Sequence, residues 1–127
     1  GNNPVVVTGD FNAIPTDEPI QVLVDKNNKD RLINAKEVSA TPHYGPTGTF
    51  TGFEQKERDD YPIDYIFIRN GPKVLKHATL SQTWGGRFSS DHFPVLAVLV
   101  VGLAASALLS PNTVSRSCSG FISPRPL

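Results

Sequence analysis

The chain has 127 residues, 39% of them hydrophobic and 19% charged, enough for one domain with a core of ordinary size. Lys plus Arg balance Asp plus Glu at 12 each. That excludes a global basic field drawing in nucleic acid, although a site made locally positive by a metal stays open. The only cysteine, Cys118, excludes an intramolecular disulfide.

The chain holds no methionine and opens on Gly1-Asn2-Asn3-Pro4, directly ahead of a strand-like run. A processed N-terminus is one reading; the other is the C-terminal part of a longer polypeptide, and the sequence favours the second. Pro4 to Thr8, with Val5, Val6 and Val7, reads as a strand buried on both faces. It leaves through Gly9-Asp10-Phe11-Asn12. Thr16 then reads as a helix N-cap, with Asp17 and Glu18 in the first turn and Pro19 where a missing N–H is harmless. Ile20, Leu23 and Val24 supply the apolar stripe of a short amphipathic helix, and Leu32 to Val38 suggests a second.

Thr41 to Arg58 is turn-rich and reads as a long surface loop with a brief strand at Thr49–Thr51. Pro62 to Arg69 alternates, placing Ile63, Tyr65 and Phe67 on one face and Asp64, Ile66 and Ile68 on the other. Asn70-Gly71 is a turn signal, so Val74 to Leu80 is expected to return as an antiparallel hairpin partner. Trp84 to Phe88 forms a loop into Ser90-Asp91-His92, and Pro94 to Val100 reads as another buried strand.

From Val101 the composition shifts to small apolar and then Ser/Pro/Arg-rich sequence. Residues 101–127 are expected to be a tail, poorly packed beyond Leu109. The apolar stretch from Pro94 to Leu109 is 16 residues long, short of the roughly 20 that span a bilayer, so no transmembrane segment is expected.

Three segments carry chemistry. Asp10 and Asn12 leave a strand end two residues apart and so on one side. Together they can align a water and touch a phosphoryl oxygen, or simply make Asx-turn bonds. Asp64 sits inside a strand among Ile66 and Ile68, where a carboxylate is costly without a partner. Arg69, Lys73 or a histidine would serve, and an Asp–His pair would fix the imidazole tautomer. Asp91-His92 offers an acid and an imidazole ahead of a strand. His43 and His77 carry no comparable signal.

Taken together, Gly-Asp-Phe-Asn, Ile-Asp-Tyr-Ile-Phe and Ser-Ser-Asp-His-Phe-Pro-Val resemble, in order and spacing, the C-terminal half of the endonuclease/exonuclease/phosphatase (DNase I-like) superfamily. The resemblance spans residues 4–100. It implies an α+β fold: half of a four-layer α/β/β/α sandwich, mainly one mixed or antiparallel sheet with one or two helices. It implies that Asp10 orients or deprotonates water and Asn12 contacts the scissile phosphate. Asp64 would pair with His92, which holds or protonates a phosphoryl oxygen. Asp91 would bind a divalent metal, Mg²⁺ or Mn²⁺, and Phe50 would lie near the substrate.

The family's metal-binding Glu belongs to its first half, which this sequence lacks. The resemblance therefore implies a metal-dependent phosphoric-ester hydrolase present as an incomplete part, inactive alone, whose partner is the missing N-terminal half. A non-catalytic binding module on the same fold is the alternative. The substrate would be a phosphate ester. Nucleic acid is possible but disfavoured, because Thr41–Asp60 sets Lys56 and Arg58 against Glu54, Glu57, Asp59 and Asp60. The compact loops fit a bacterial member.

Overall fold

The computed structural model describes residues 2–54 and 61–102. The tail expected to be loosely packed beyond Leu109 lies outside the described residues, as do Lys56 and Arg58. Six elements follow in order: β1 (Val5–Asp10), α1 (Glu18–Val24), β2 (Ile33–Asn34), β3 (Asp64–Arg69), β4 (Lys73–Thr79) and β5 (Val95–Val100). β1, β3 and β2 form one antiparallel sheet with β3 in the centre; β4 and β5 form a second, also antiparallel. The fold is α+β, with its strands divided between two sheets rather than gathered in one.

β3 organises the packing because its alternation feeds two cores. Tyr65 and Phe67 join Ala13 and Ile20, with Phe11, Leu23 and Val24 of the helix side packed around them. Ile66 and Ile68 join Ala35 and Val74, against Val95, Ala97 and Leu99 of β5. The result is three layers: α1, the β1-β3-β2 sheet, and the β4-β5 sheet. Phe67 is fully buried, a contribution of about 1.5–3 kcal/mol. Phe11 meets Tyr65 and Phe67 edge-on at 5.7 and 5.3 Å, while Tyr65 and Phe67 stack at 5.2 Å. The Tyr65 hydroxyl lies 2.8 Å from the Ala13 carbonyl and 2.7 Å from that of Pro62. Burial first, then Asp17 and Asp64, pushes its pKa up to about 12.

Several local expectations give way to tertiary demands. β1 is not buried on both faces: Val6 is 44% exposed, because β5 packs against β3 and does not reach over β1. The helix N-cap is Asp17, not Thr16; its side chain accepts from the Ile14 N–H at 2.9 Å and caps nothing in the helix. The second helix expected at Leu32–Val38 is instead β2 and a turn. Ile33 and Asn34 satisfy the open edge of β3 opposite Ile68 and Phe67, and Asn34 Oδ1 then accepts from the Lys36 N–H.

Asn70 and Gly71 do adopt the positive φ values of a turn, 59° and 102°, but no hairpin follows. β3 already has β1 and β2 on its two edges, so β4 crosses to pair with β5. Thr49–Thr51 makes one bridge, Phe50 to His92, rather than a strand. β5 is half-buried: Val95, Ala97 and Leu99 face inward while Leu96, Val98 and Val100 are exposed. No helix among the described residues is long and apolar enough to cross a membrane.

His77 is buried in β4 and meets His43 across 2.9 Å, Nδ1 to Nδ1. His43 Nε2 faces the Pro46 carbonyl at 3.1 Å and must donate there, so its Nδ1 accepts and His77 Nδ1–H donates. This bond, with Tyr44 N–H to His77 O and Thr79 N–H to Tyr44 O, ties the long loop to β4. Gly45 sits at the tightest point: its φ is +92°, and a Cβ there would collide with the Thr79 carbonyl.

Gly45→Ala is therefore expected to destabilise the chain by about 1–3 kcal/mol, read as a lower urea midpoint with unchanged slope. Burial, then His43 and Lys36, lower the His77 pKa from 6.5 to about 4. Between those values the unfolded chain holds more protons, so this contribution is complete above pH 6.5 and is lost as pH falls toward 4. The gap corresponds to roughly 3 kcal/mol. Urea denaturation of the wild-type chain and His77→Gln should converge across that window as the pH is lowered.

Candidate active site

β1 and β3 pair so that Asp10 stands directly opposite Asp64. The Phe11 N–H donates to the Ile63 carbonyl at 2.8 Å, which makes Asp10–Asp64 a non-hydrogen-bonded pair. In such a pair the Cα atoms come within about 4.5 Å and both side chains rise from one face. The loop before β5 then brings in His92. Its Nδ1 lies 2.8 Å from Asp64 Oδ2, and its Nε2 lies 4.0 Å from Asp10 Oδ2. Of the partners considered for Asp64, the histidine is the one that meets it; Arg69 pairs with Asp30 at 2.8 Å instead.

The Nδ1–H donated to Asp64 fixes the tautomer and aims Nε2 toward Asp10. The hydrogen bond to Asp64 is the main cause of a raised His92 pKa. Burial opposes it, and the charges of Asp64, Asp10 and Asp91 reinforce it. The imidazolium is thereby favoured, with Nε2–H as a donor. The groups open onto a cleft of about 400 Å³ lined by Asp10, Asp64, Ser90 and His92 with apolar neighbours such as Ile66 and Val95.

The other expected residues are placed differently. Asn12 is exposed with φ 48°, and its N–H donates to Asp10 Oδ1 at 2.8 Å, so the Asx-turn alternative is present. Asp91 is half-buried beside His92, with Ser90 Oγ 3.3 Å from its Oδ1, but it is not one of the three groups that converge. Phe50 packs edge-on against the His92 ring at 5.2 Å and is 41% exposed. Ser90 was not anticipated: its Oγ accepts from the His92 N–H at 3.1 Å, a turn that a Ser two residues before the imidazole can signal. His43 and His77 face one another rather than the cleft.

Asp10, Asp64 and His92 each offer a ligand atom within 4.8 Å of the others, a spacing that can hold a metal ion. The carboxylate oxygens of Asp10 and Asp64 suit a hard divalent cation, whereas His92 Nδ1 is already engaged by Asp64.

A family model described as the endonuclease/exonuclease/phosphatase family matches residues 1–92. The chain belongs to that family. Its members are hydrolases of the phosphoesterase type. Among solved structures, the chain is similar to a protein of unknown function from Enterococcus faecalis, with 34% identity and a TM-score of 0.67 over 78% of this chain and 37% of that one. It is also similar to a mannosyl-6-phosphatase from Bacteroides thetaiotaomicron, with 30% identity and a TM-score of 0.67 over 76% and 38%. A family member from Bacteroides vulgatus aligns at 28% identity and a TM-score of 0.70 over 80% and 38%. No curated protein matches. The chain thus spans less than two-fifths of the structures it resembles.

Asp64→Asn removes the carboxylate that holds Nδ1–H and should lower the His92 pKa toward the ordinary histidine value, followed by the imidazole carbon-bound protons in an NMR titration. Because the folded value is raised, His92 stabilises the fold below about pH 6.5, and that contribution is lost as pH rises through the folded value. Wild type should lose stability relative to Asp64→Asn over that rise.

Proposed function

We propose that this chain is the C-terminal part of a metal-dependent phosphoric-ester hydrolase and supplies its acid–base half. The carrying observation is the Asp64–His92 hydrogen bond of 2.8 Å with Nε2 held 4.0 Å from Asp10. In this reading Asp10 accepts a proton from, or aligns, the attacking water. Protonated His92 donates Nε2–H to a phosphoryl oxygen as negative charge builds there, and Asp64 holds the imidazolium in place. Asn12 would contact the phosphate once its side chain turns inward, and Phe50 would border the substrate.

Asp91 would hold a divalent cation such as Mg²⁺ alongside a carboxylate from outside this chain. A cation bound there would polarise a phosphoryl oxygen as a Lewis acid. The structures it resembles are about twice as long, which supports the reading that this chain alone lacks a complete site. A sugar phosphomonoester is the first substrate to try, since one similar protein is named a mannosyl-6-phosphatase.

With Mg²⁺ supplied, the polypeptide containing this chain should hydrolyse mannose 6-phosphate, an oligonucleotide or a phospholipid, whereas residues 1–127 alone should show no turnover above buffer. His92→Gln and Asp64→Asn in the longer polypeptide should each lower kcat by about 10²–10⁴-fold. Turnover by residues 1–127 that Asp91→Ala abolishes would refute the inactivity of the isolated chain. Full activity of His92→Gln would refute the assignment of the acid.

A further inference from the structure

We infer that Thr49 is the positioning residue of the Asp64–His92 pair, holding the backbone of the acid with its hydroxyl and the backbone beside the imidazole with its carbonyl. The inference rests on the hydrolase reading for its consequence, but its geometry stands on hydrogen bonds alone.

In a non-hydrogen-bonded pair each strand's own N–H points away from its partner. The Asp64 N–H therefore turns away from β1, toward the edge of β3 where β2 would continue. β2 is too short to reach it: its ladder meets β3 at Ile68 and Phe67, and the last bond, Ala35 N–H to the Ile66 carbonyl, stops two residues before Asp64. A part-buried amide there needs another acceptor. Thr49 Oγ1 provides it, accepting from the Ile63 N–H at 3.0 Å and the Asp64 N–H at 3.1 Å. Thr49 is 1% exposed, so no bulk water stands ready to replace that oxygen.

The same segment fixes the imidazole. The Phe93 N–H donates to the Thr49 carbonyl at 2.6 Å, and Phe50 bridges His92. The Asp91 carbonyl accepts from the Thr51 N–H at 2.6 Å, the Thr51 hydroxyl at 2.9 Å and the Gly52 N–H at 3.1 Å. One extended stretch, with Thr49 and Thr51 buried and Phe50 turned toward the imidazole ring, therefore touches the acid on one side and the Asp91–Phe93 loop on the other. Asp64 and His92 come from separate segments 28 residues apart, and Thr49 accepts from the amide of Asp64 and from the amide of Phe93, next to His92.

The test reads the Asp64–His92 bond directly. An imidazole Nδ1–H held by a carboxylate gives a far-downfield proton resonance, assigned here by its disappearance in His92→Gln. The full 127-residue chain is compared with Thr49→Val, which keeps the shape and removes the acceptor, Thr49→Ser, which restores the hydroxyl, and Thr79→Val, a neighbouring buried threonine whose hydroxyl bonds neither Asp64 nor the Asp91–Phe93 loop. The expected result is a resonance present in wild type, Thr49→Ser and Thr79→Val and lost in folded Thr49→Val.

Persistence in folded Thr49→Val, loss in Thr49→Ser, equal loss in Thr79→Val, or absence in wild type would each overturn the inference. Should Thr49→Val not fold, amide exchange in wild type decides. Protection of Ile63 and Asp64 as strong as within β3 supports the role; exchange as fast as in exposed loops overturns it. Because no arm depends on hydrolysis, a resonance that behaves as expected in this chain, with no phosphoesterase activity in the longer polypeptide that contains it, would refute the hydrolase reading alone.

Discussion

The site depends on two carboxylates placed directly opposite one another where β1 and β3 end their pairing. Asp10 and Asp64 occupy a non-hydrogen-bonded position, the closest approach an antiparallel ladder allows. Like charges opposite one another are unfavourable, by an amount on the order of 1–4 kcal/mol between water-like and protein-like screening. The arrangement is tolerable only if a cation or a strong donor enters between them. His92 answers that demand, donating Nδ1–H to one acid and aiming Nε2 at the other. The pair that would otherwise strain the sheet becomes the reason the imidazole is held and its pKa raised.

Delivering His92 to that point is a matter of layers. β3 has neighbours on both edges and packing on both faces, so it is the fixed reference of the molecule. β5 docks Val95, Ala97 and Leu99 onto the Ile66 and Ile68 face of β3, which brings the Ser90–Phe93 loop to the Asp64 end. Asp64 lies on that face too, two residues from Ile66, so the hydrophobic contact and the Asp64–His92 geometry share one register. A slip of one residue in β3 would turn Asp64 toward the aromatic core of Phe11 and Phe67.

Much of this was legible in the sequence because the signals are local. The alternation from Ile63 to Ile68 assigns both faces of β3 and puts Asp64 on the Ile66 side, as found. The Ile20, Leu23, Val24 stripe gives α1 and its buried face. Other signals were overruled by partners far along the chain. Ile33 and Asn34 lie in a stretch with helical spacing but complete the edge of β3. Asn70-Gly71 has hairpin chemistry yet serves as a crossing, since β3 had no free edge left. Val6 and Val98 look like core residues and are exposed, because burial depends on what lies opposite. In the site, Asp64 and His92 were legible as candidate partners, while Thr49 and Ser90 were not. Their roles lie in hydrogen bonds to backbone groups, which leave no charge pattern to read.

By itself, the sequence determined which strands alternate, which carboxylates stand at strand ends, and that three acid- or imidazole-bearing segments follow the order of one phosphoesterase family. Residue chemistry and spacing carry that information within a few positions. The tertiary structure alone decided that Asp10 faces Asp64, that His92 rather than Arg69 answers the acid, and that a buried threonine holds them together. Those outcomes turn on register and on which edge remains open, and both are settled by segments tens of residues apart competing for the same hydrogen bonds.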